Sequence, residues 1–147
     1  MATLLAETIM QTVQTVVEAG VDADVFRGRV DPLPDANLPA VGIFQGADQP
    51  APEQPIGMQD QYLEVRTEVA ARSTQENIET DLNELRRQIH LLLTASNALS
   101  LAYVIDVIPD GTDEPTLDGT SEQYTGTMVV RWLVHYRHQY ADAGAAP

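Results

Sequence analysis

Apolar residues recur at helical spacing near the start of the chain: Leu5, Ile9, Val13, Val16 and Val17, with Glu7, Gln11, Gln14 and Glu18 between them. Steps of three and four put the apolar set on one side of a helix. Thr3 offers a cap and Gly20 a stop, so the pattern predicts a first helix over 3–19. A short strand follows around Val25–Val30. "DPLPDANLP" is then a connection, because Pro32, Pro34 and Pro39 lack the N–H that a ladder needs. "AVGIF" predicts a second short strand. The next stretch, 45–60, is filled with proline, glycine and acids and reads as an exposed, mobile loop.

"YLEVRTEVAAR" alternates. Leu63, Val65, Thr67, Val69 and Ala71 take one face; Glu64, Arg66, Glu68 and Arg72 take the other, as in a half-buried strand. "STQENIETDLNELRRQIHLLLTAS" predicts the second helix, capped by Ser73 or Thr74. Its apolar stripe is Ile78, Leu82, Leu85, Ile89, Leu92 and Leu93. "LSLAYVIDVIPDG" is apolar on both faces and predicts a central strand. The acidic stretch 109–123 reads as a second mobile turn. A last strand runs from Tyr124 to His138. Gly126, Met128, Val130, Trp132, Val134 and Tyr136 line one face; Thr125, Thr127, Arg131, His135 and Arg137 line the other. The tail 141–147 reads as frayed.

The element order is therefore α-β-β-β-α-β-β, in one domain over 1–147. Strands in consecutive groups favour an α+β fold: a mostly antiparallel sheet with both helices on one face. The other face then carries arginine, threonine and glutamate. Trp132 is predicted to be core.

Composition narrows what such a fold can do. The 147 residues are 44% apolar, enough for a core, and carry a net charge of −14. All eight basic residues are arginine. The acidic average disfavours nucleic acid and anionic lipid as partners. With no cysteine, disulfides, thiol catalysis and cysteine-held metals are excluded. The N-terminal segment lacks the basic region of a signal peptide, and no apolar run is long enough for a membrane span.

Candidate chemistry is sparse. His135 and His138 fall on opposite faces of a strand, and His90 sits at the margin of the second helix. The turn "PDGTDEPTLDG" lacks the alternating acids and closing glutamate of a calcium loop. No phosphate loop, dinucleotide fingerprint, nucleophile elbow or zinc-protease motif is present. The reading is of a protein that is not an enzyme, with no cofactor and no metal. Arg27 and Arg29, two apart on a strand, share a face. With Arg66, Arg72, Arg131 and Arg137 they are candidates for a subunit or partner interface, since guanidinium suits protein contacts. Local surface ion pairs are the alternative.

Taken in order, "VFRGRVDPLPDANLPAVGIFQG", "YLEVRTEVAARS", "NIETDLNELRRQIHLLL" and "TGTMVVRWLVHYR" resemble phage tail terminator proteins, the minor tail protein U type of long-tailed phages. The resemblance covers nearly the whole chain. It rests most on the arginine-bearing strand followed by Pro32, Pro34 and Leu38-Pro39, with Val134, His135, Tyr136 and Arg137 in support. It implies a structural virion protein that assembles in the bacterial host cytoplasm. Such a protein forms a homo-oligomeric ring, six-fold in the assembled tail. The ring caps the tail tube at the head-proximal end, stops its polymerisation and presents a surface to the head. Implied partners are further copies, the tail tube protein and the head–tail connector proteins, with no membrane and no sequence-specific nucleic acid. A head–tail connector or head-completion adaptor is the alternative role.

Overall fold

A computed structural model describes residues 3–28, 38–120 and 123–147. Helix α1 is Leu5–Gly20 and α2 is Ile78–Thr94. The strands are β1 Asp24–Arg27, β2 Ala40–Pro50, β3 Met58–Ser73, β4 Val104–Thr112, β5 Thr116–Thr120 and β6 Gln123–Gln139. They form one sheet ordered β1-β2-β3-β6-β4, with β5 continuing along β6 past the end of β4. Every pairing is antiparallel except β1 with β2. The fold is α+β, and the expected order is present with one additional short strand, β5, inside the acidic stretch.

Both helices pack on one face of the sheet. Ile9, Met10, Val13 and Val17 of α1 and Ile78, Leu82, Ile89 and Leu93 of α2 are buried there against Val65, Val130, Trp132 and Val134. Each such apolar side chain, removed from water, contributes about 1.5–3 kcal/mol. The alternation along β3 and β6 is the one expected: Leu63, Val65, Thr67 and Val69 are buried, as are Met128, Val130, Trp132 and Tyr136. Trp132 is 1% exposed. Its Nε1–H donates to Thr67 Oγ1 at 3.2 Å, and that hydroxyl donates to the Val130 carbonyl at 3.1 Å. The indole, the hydroxyl and the Val130 carbonyl thus satisfy one another. Gly126 lies directly under the start of α2, where a Cβ would come within 2.8 Å of Leu82 and 2.9 Å of Ile78.

Several local expectations are corrected. β1 stops at Arg27, because Gly28 takes a φ of +62° and its N–H turns to the Ile43 carbonyl. The strand is therefore shorter than expected, and Arg29, Val30, Pro32 and Pro34 lie outside the described residues. Most of 45–60 belongs to strands, since β2 reaches Pro50 and β3 begins at Met58. The remaining turn is held by Gln54, which donates to the Ala51 and Asp60 carbonyls and accepts from the Asp60 N–H. β4 is an edge strand, not a central one, with Ile105 exposed. Its apolar residues Val104 and Val107 serve the margin of the core. Neither helix has a side-chain cap. Ser73 is still in β3, and the first turn of α2 leans on the Thr74 carbonyl. At α1 the Leu5 N–H donates to the Ala143 carbonyl. The tail thus does the capping: it folds back, and Gln139 bonds Ala145 and Ala146.

Candidate partner-docking face

Among the described residues, no element covers the sheet face opposite the helices. That face is set by register. Phe44, Arg66 and Arg131 stand in one row across β2, β3 and β6. Gly42, Glu68 and Val129 form the next row on one side, and Glu64, Leu133 and Ile108 the next on the other. Tyr62, His135 and Asp106 follow, then Asp60 beside Arg137. Arg72 stands at the far end, opposite Thr125. Phe44, Ile108, Val129 and Leu133 are half-buried. An antiparallel sheet can show one face to water, but alternation normally makes that face polar. Here each of the first three rows mixes apolar with charged side chains.

The arginines expected at an interface divide. Arg66, Arg72, Arg131 and Arg137 share the uncovered face. Arg27 does not: it pairs in register with Ile43 on the helix side. There it grips Glu7 of α1 with Nη1 to Oε1 at 2.6 Å and Nη2 to Oε2 at 2.7 Å. The contact raises Arg27 and lowers Glu7 from their ordinary pKa values, the hydrogen bonds being the leading cause in both. Arg27 is thus a tether between α1 and β1.

Arg137 and Arg131 also hold carboxylates. Arg137 donates Nε to Asp60 Oδ1 at 2.6 Å and Nη2 to Oδ2 at 3.1 Å. His135 Nε2 lies 3.1 Å from the same Oδ2, and its ring leans on Tyr62 at 4.8 Å between centroids. Asp60 is buried, and its carboxyl is held below the usual aspartate range, first by Arg137 and further by His135, with burial opposing. Arg131 grips Asp113, from the β4–β5 turn, with both terminal nitrogens. Arg66 differs. Its nearest carboxylate is Glu64, 3.7 Å from Nε, and that Nε is buried without a hydrogen bond. The sequence offered no signal for Asp60, which fell in a stretch read as loop, or for Phe44 and Leu133, which read as ordinary strand residues.

On the helix side the Tyr136 hydroxyl donates to Asp48 Oδ2 at 2.6 Å, while Oδ1 is buried without a partner. Burial pushes the Asp48 carboxyl up, against the lowering effects of Tyr136 and His138. Among the described residues no three acidic or histidine side chains converge as a metal site. No helix among them is long and apolar enough to cross a membrane.

The edges of the sheet contrast with its face. β4 carries Pro109, without an N–H, and is irregular between Val104 and Asp106 and between Pro109 and Thr112. β2 has a bulge between Gln45 and Asp48 and ends on Pro50. β1 has four residues. Proline, bulges and shortness are the devices that discourage strand addition. The molecule is therefore better equipped to meet others through its face than through its edges.

No protein-family model matches the chain, and no curated protein matches it. Among solved structures, it is similar to a chain of a structure described as the virion of a native gene transfer agent particle. The likeness covers 90% of this chain and 95% of that one, at 12% identity and a TM-score of 0.42.

Proposed function

We propose that this chain is a structural virion subunit that works by assembly: a tail terminator that forms a ring on the tail tube, ends its polymerisation and offers the head a surface. The observation that carries the reading is the uncovered sheet face, with interleaved arginines and half-buried apolar side chains, on a sheet whose edges are blunted. The ordered resemblance of the strand and helix segments to tail terminators supports neighbouring copies, the tail tube protein and the connector proteins as the partners of that face. A ring needs two unlike complementary surfaces on each subunit, and this fold has a helix layer on one side and an open sheet on the other.

The test is loss of the protein from the phage that encodes it, followed by electron microscopy. Overlong tails lacking heads, together with rings of purified protein on the ends of isolated tail tubes, are expected. Tails of normal length with empty, tailless heads would instead assign a head-completion or connector role. Normal virions would remove the assembly reading altogether.

A further inference from the structure

Resting on that assembly reading, we infer that successive copies join through unlike faces. The outer surface of α2 from one copy lies on the uncovered sheet face of the next, and Arg66 there receives a carboxylate from it.

The first argument is an unmet guanidinium. Arg27, Arg131 and Arg137 each hold a carboxylate with two donors. Arg66, in the middle of the open face, holds none in that way. Its Nε is sealed from water without a hydrogen bond, while its side chain as a whole is 44% exposed. Arg131 stands directly across from it on β6. Two like charges opposite one another on a sheet repel. Asp113 answers Arg131, and an incoming carboxylate would answer Arg66. Paired donors on a planar fork make that recognition directional.

The second argument is the composition of the α2 surface. Ile78, Leu82, Leu85, Ile89 and Leu93 turn inward. The row on the opposite side is Thr80, Glu84, Arg87 and Leu91, all exposed, with Leu91 at 57%, and exposed Glu76 precedes it in the turn before the helix. Steps of four, three and four keep the helical four in line. This row repeats the chemistry of the open face with the charges exchanged. Glu76 suits Arg66; the Glu84–Arg87 pair can sit beside Glu64 and Glu68 with Arg87 toward them; Leu91 suits Leu133 and Val129. Glu84 is already hydrogen-bonded to Arg87, which lowers its pKa to about 2, so it arrives ionised. A helix laid on a bare sheet face is also the usual way such a face is closed. Because the α2 surface and the open face lie on opposite sides of the subunit, the contact is head-to-tail and repeats from copy to copy.

The native chain has no cysteine, so introduced thiols report without background. Glu68→Cys marks the open face and Thr80→Cys the outer row of α2. Single variants, whose folding is checked by near-ultraviolet circular dichroism, are mixed on isolated tail tubes and treated with a short bis-maleimide. Cross-linked dimer from the mixture, with little from either variant alone, is expected. The doubly substituted chain should give a ladder ending at ring size. In parallel, Arg66→Glu should weaken association by about tenfold or more, and Glu76→Arg in the same chain should restore it. Rings that form without a 68-to-80 cross-link, or that link 68 to 68, overturn this contact and leave the assembly reading standing. Failure of the unmodified protein to form rings on tubes overturns both.

Discussion

Thr67→Val keeps the shape of a buried side chain and deletes one hydroxyl. Thr67 is fully buried at the centre of β3, where its oxygen accepts the Trp132 indole N–H and donates to the Val130 carbonyl. Without that oxygen, the indole N–H remains inside the core with no acceptor. A buried donor left unpaired costs about 1–3 kcal/mol. In a chain of this size each kcal/mol lowers Tm by about 2–4 °C, so the variant should melt roughly 2–12 °C lower. Trp132 is the only tryptophan, so fluorescence reads this location directly in urea titrations. Trp132→Phe removes the donor and also leaves a void. Thr67→Val added to Trp132→Phe should then cost less than Thr67→Val alone, with a coupling on the order of 1 kcal/mol in the double-mutant cycle. That arm is followed by far-ultraviolet circular dichroism. An unchanged Tm for Thr67→Val, or strict additivity in the cycle, would refute the hydrogen-bonded core described above.

Gly126→Ala should cost about 1–3 kcal/mol by thermal denaturation, since its Cβ would press on Leu82 and Ile78 where α2 meets β6; an unchanged Tm would mean that α2 sits farther out. Asp60→Asn should lower stability at pH 7 by about 1–3 kcal/mol, because a buried acceptor shared by Arg137 and His135 is weakened. Asp60 is held below the usual aspartate range, so its stabilisation is fully present above about pH 4 and lost as pH falls through the depressed value. Asp60→Asn should therefore flatten the acid limb of stability against pH, and an unchanged limb would count against the pairing. Asp48 is shifted the other way by burial, so its protonation adds stability as pH falls through the raised value. Asp48→Asn, which keeps an acceptor for the Tyr136 hydroxyl, should be neutral or stabilising at pH 7, and a clear loss of Tm would show that the charge itself is needed.

The long elements were legible because one face of each is buried. Alternation in β3 and β6 and the helical stripes of α1 and α2 follow from the same requirement, that apolar residues reach one core. Trp132 could be placed for that reason. What failed was punctuation. The prolines of 45–60 suggested a loop, yet Pro50 ends β2 well past the four residues that β1 pairs, still in register with Gln61 of β3. β1 was expected to run on past Gly28 because nothing in the letters shows that this glycine turns left-handed. β4 looked central because its apolar residues fall on both sides, whereas Val107 serves the core and Ile105 stays exposed. The uncovered face was anticipated as a surface of arginines and glutamates. Which guanidinium lacked a two-donor grip on a carboxylate was not, because ion pairing across strands depends on register and on a turn that delivers Asp113 to Arg131.

Charge then decides how copies of this chain approach one another. Two bodies of net charge −14 repel at long range. The uncovered face is less charged: Arg66, Arg72, Arg131 and Arg137 stand there with Asp60, Glu64, Glu68, Asp106, Asp113 and Asp118, four against six, so most of the excess negative charge lies elsewhere. Long-range repulsion decays over a Debye length of about 10 Å at 0.1 M salt, and more steeply as salt rises, whereas a contact sealed between subunits is screened much less. Association through this face should therefore strengthen between about 0.05 and 0.5 M salt, as measured by sedimentation velocity. An assembly held mainly by exposed ion pairs would weaken over the same range. A fall in association with added salt would thus place the contact on the strongly acidic surface and not on this weakly charged, partly apolar face.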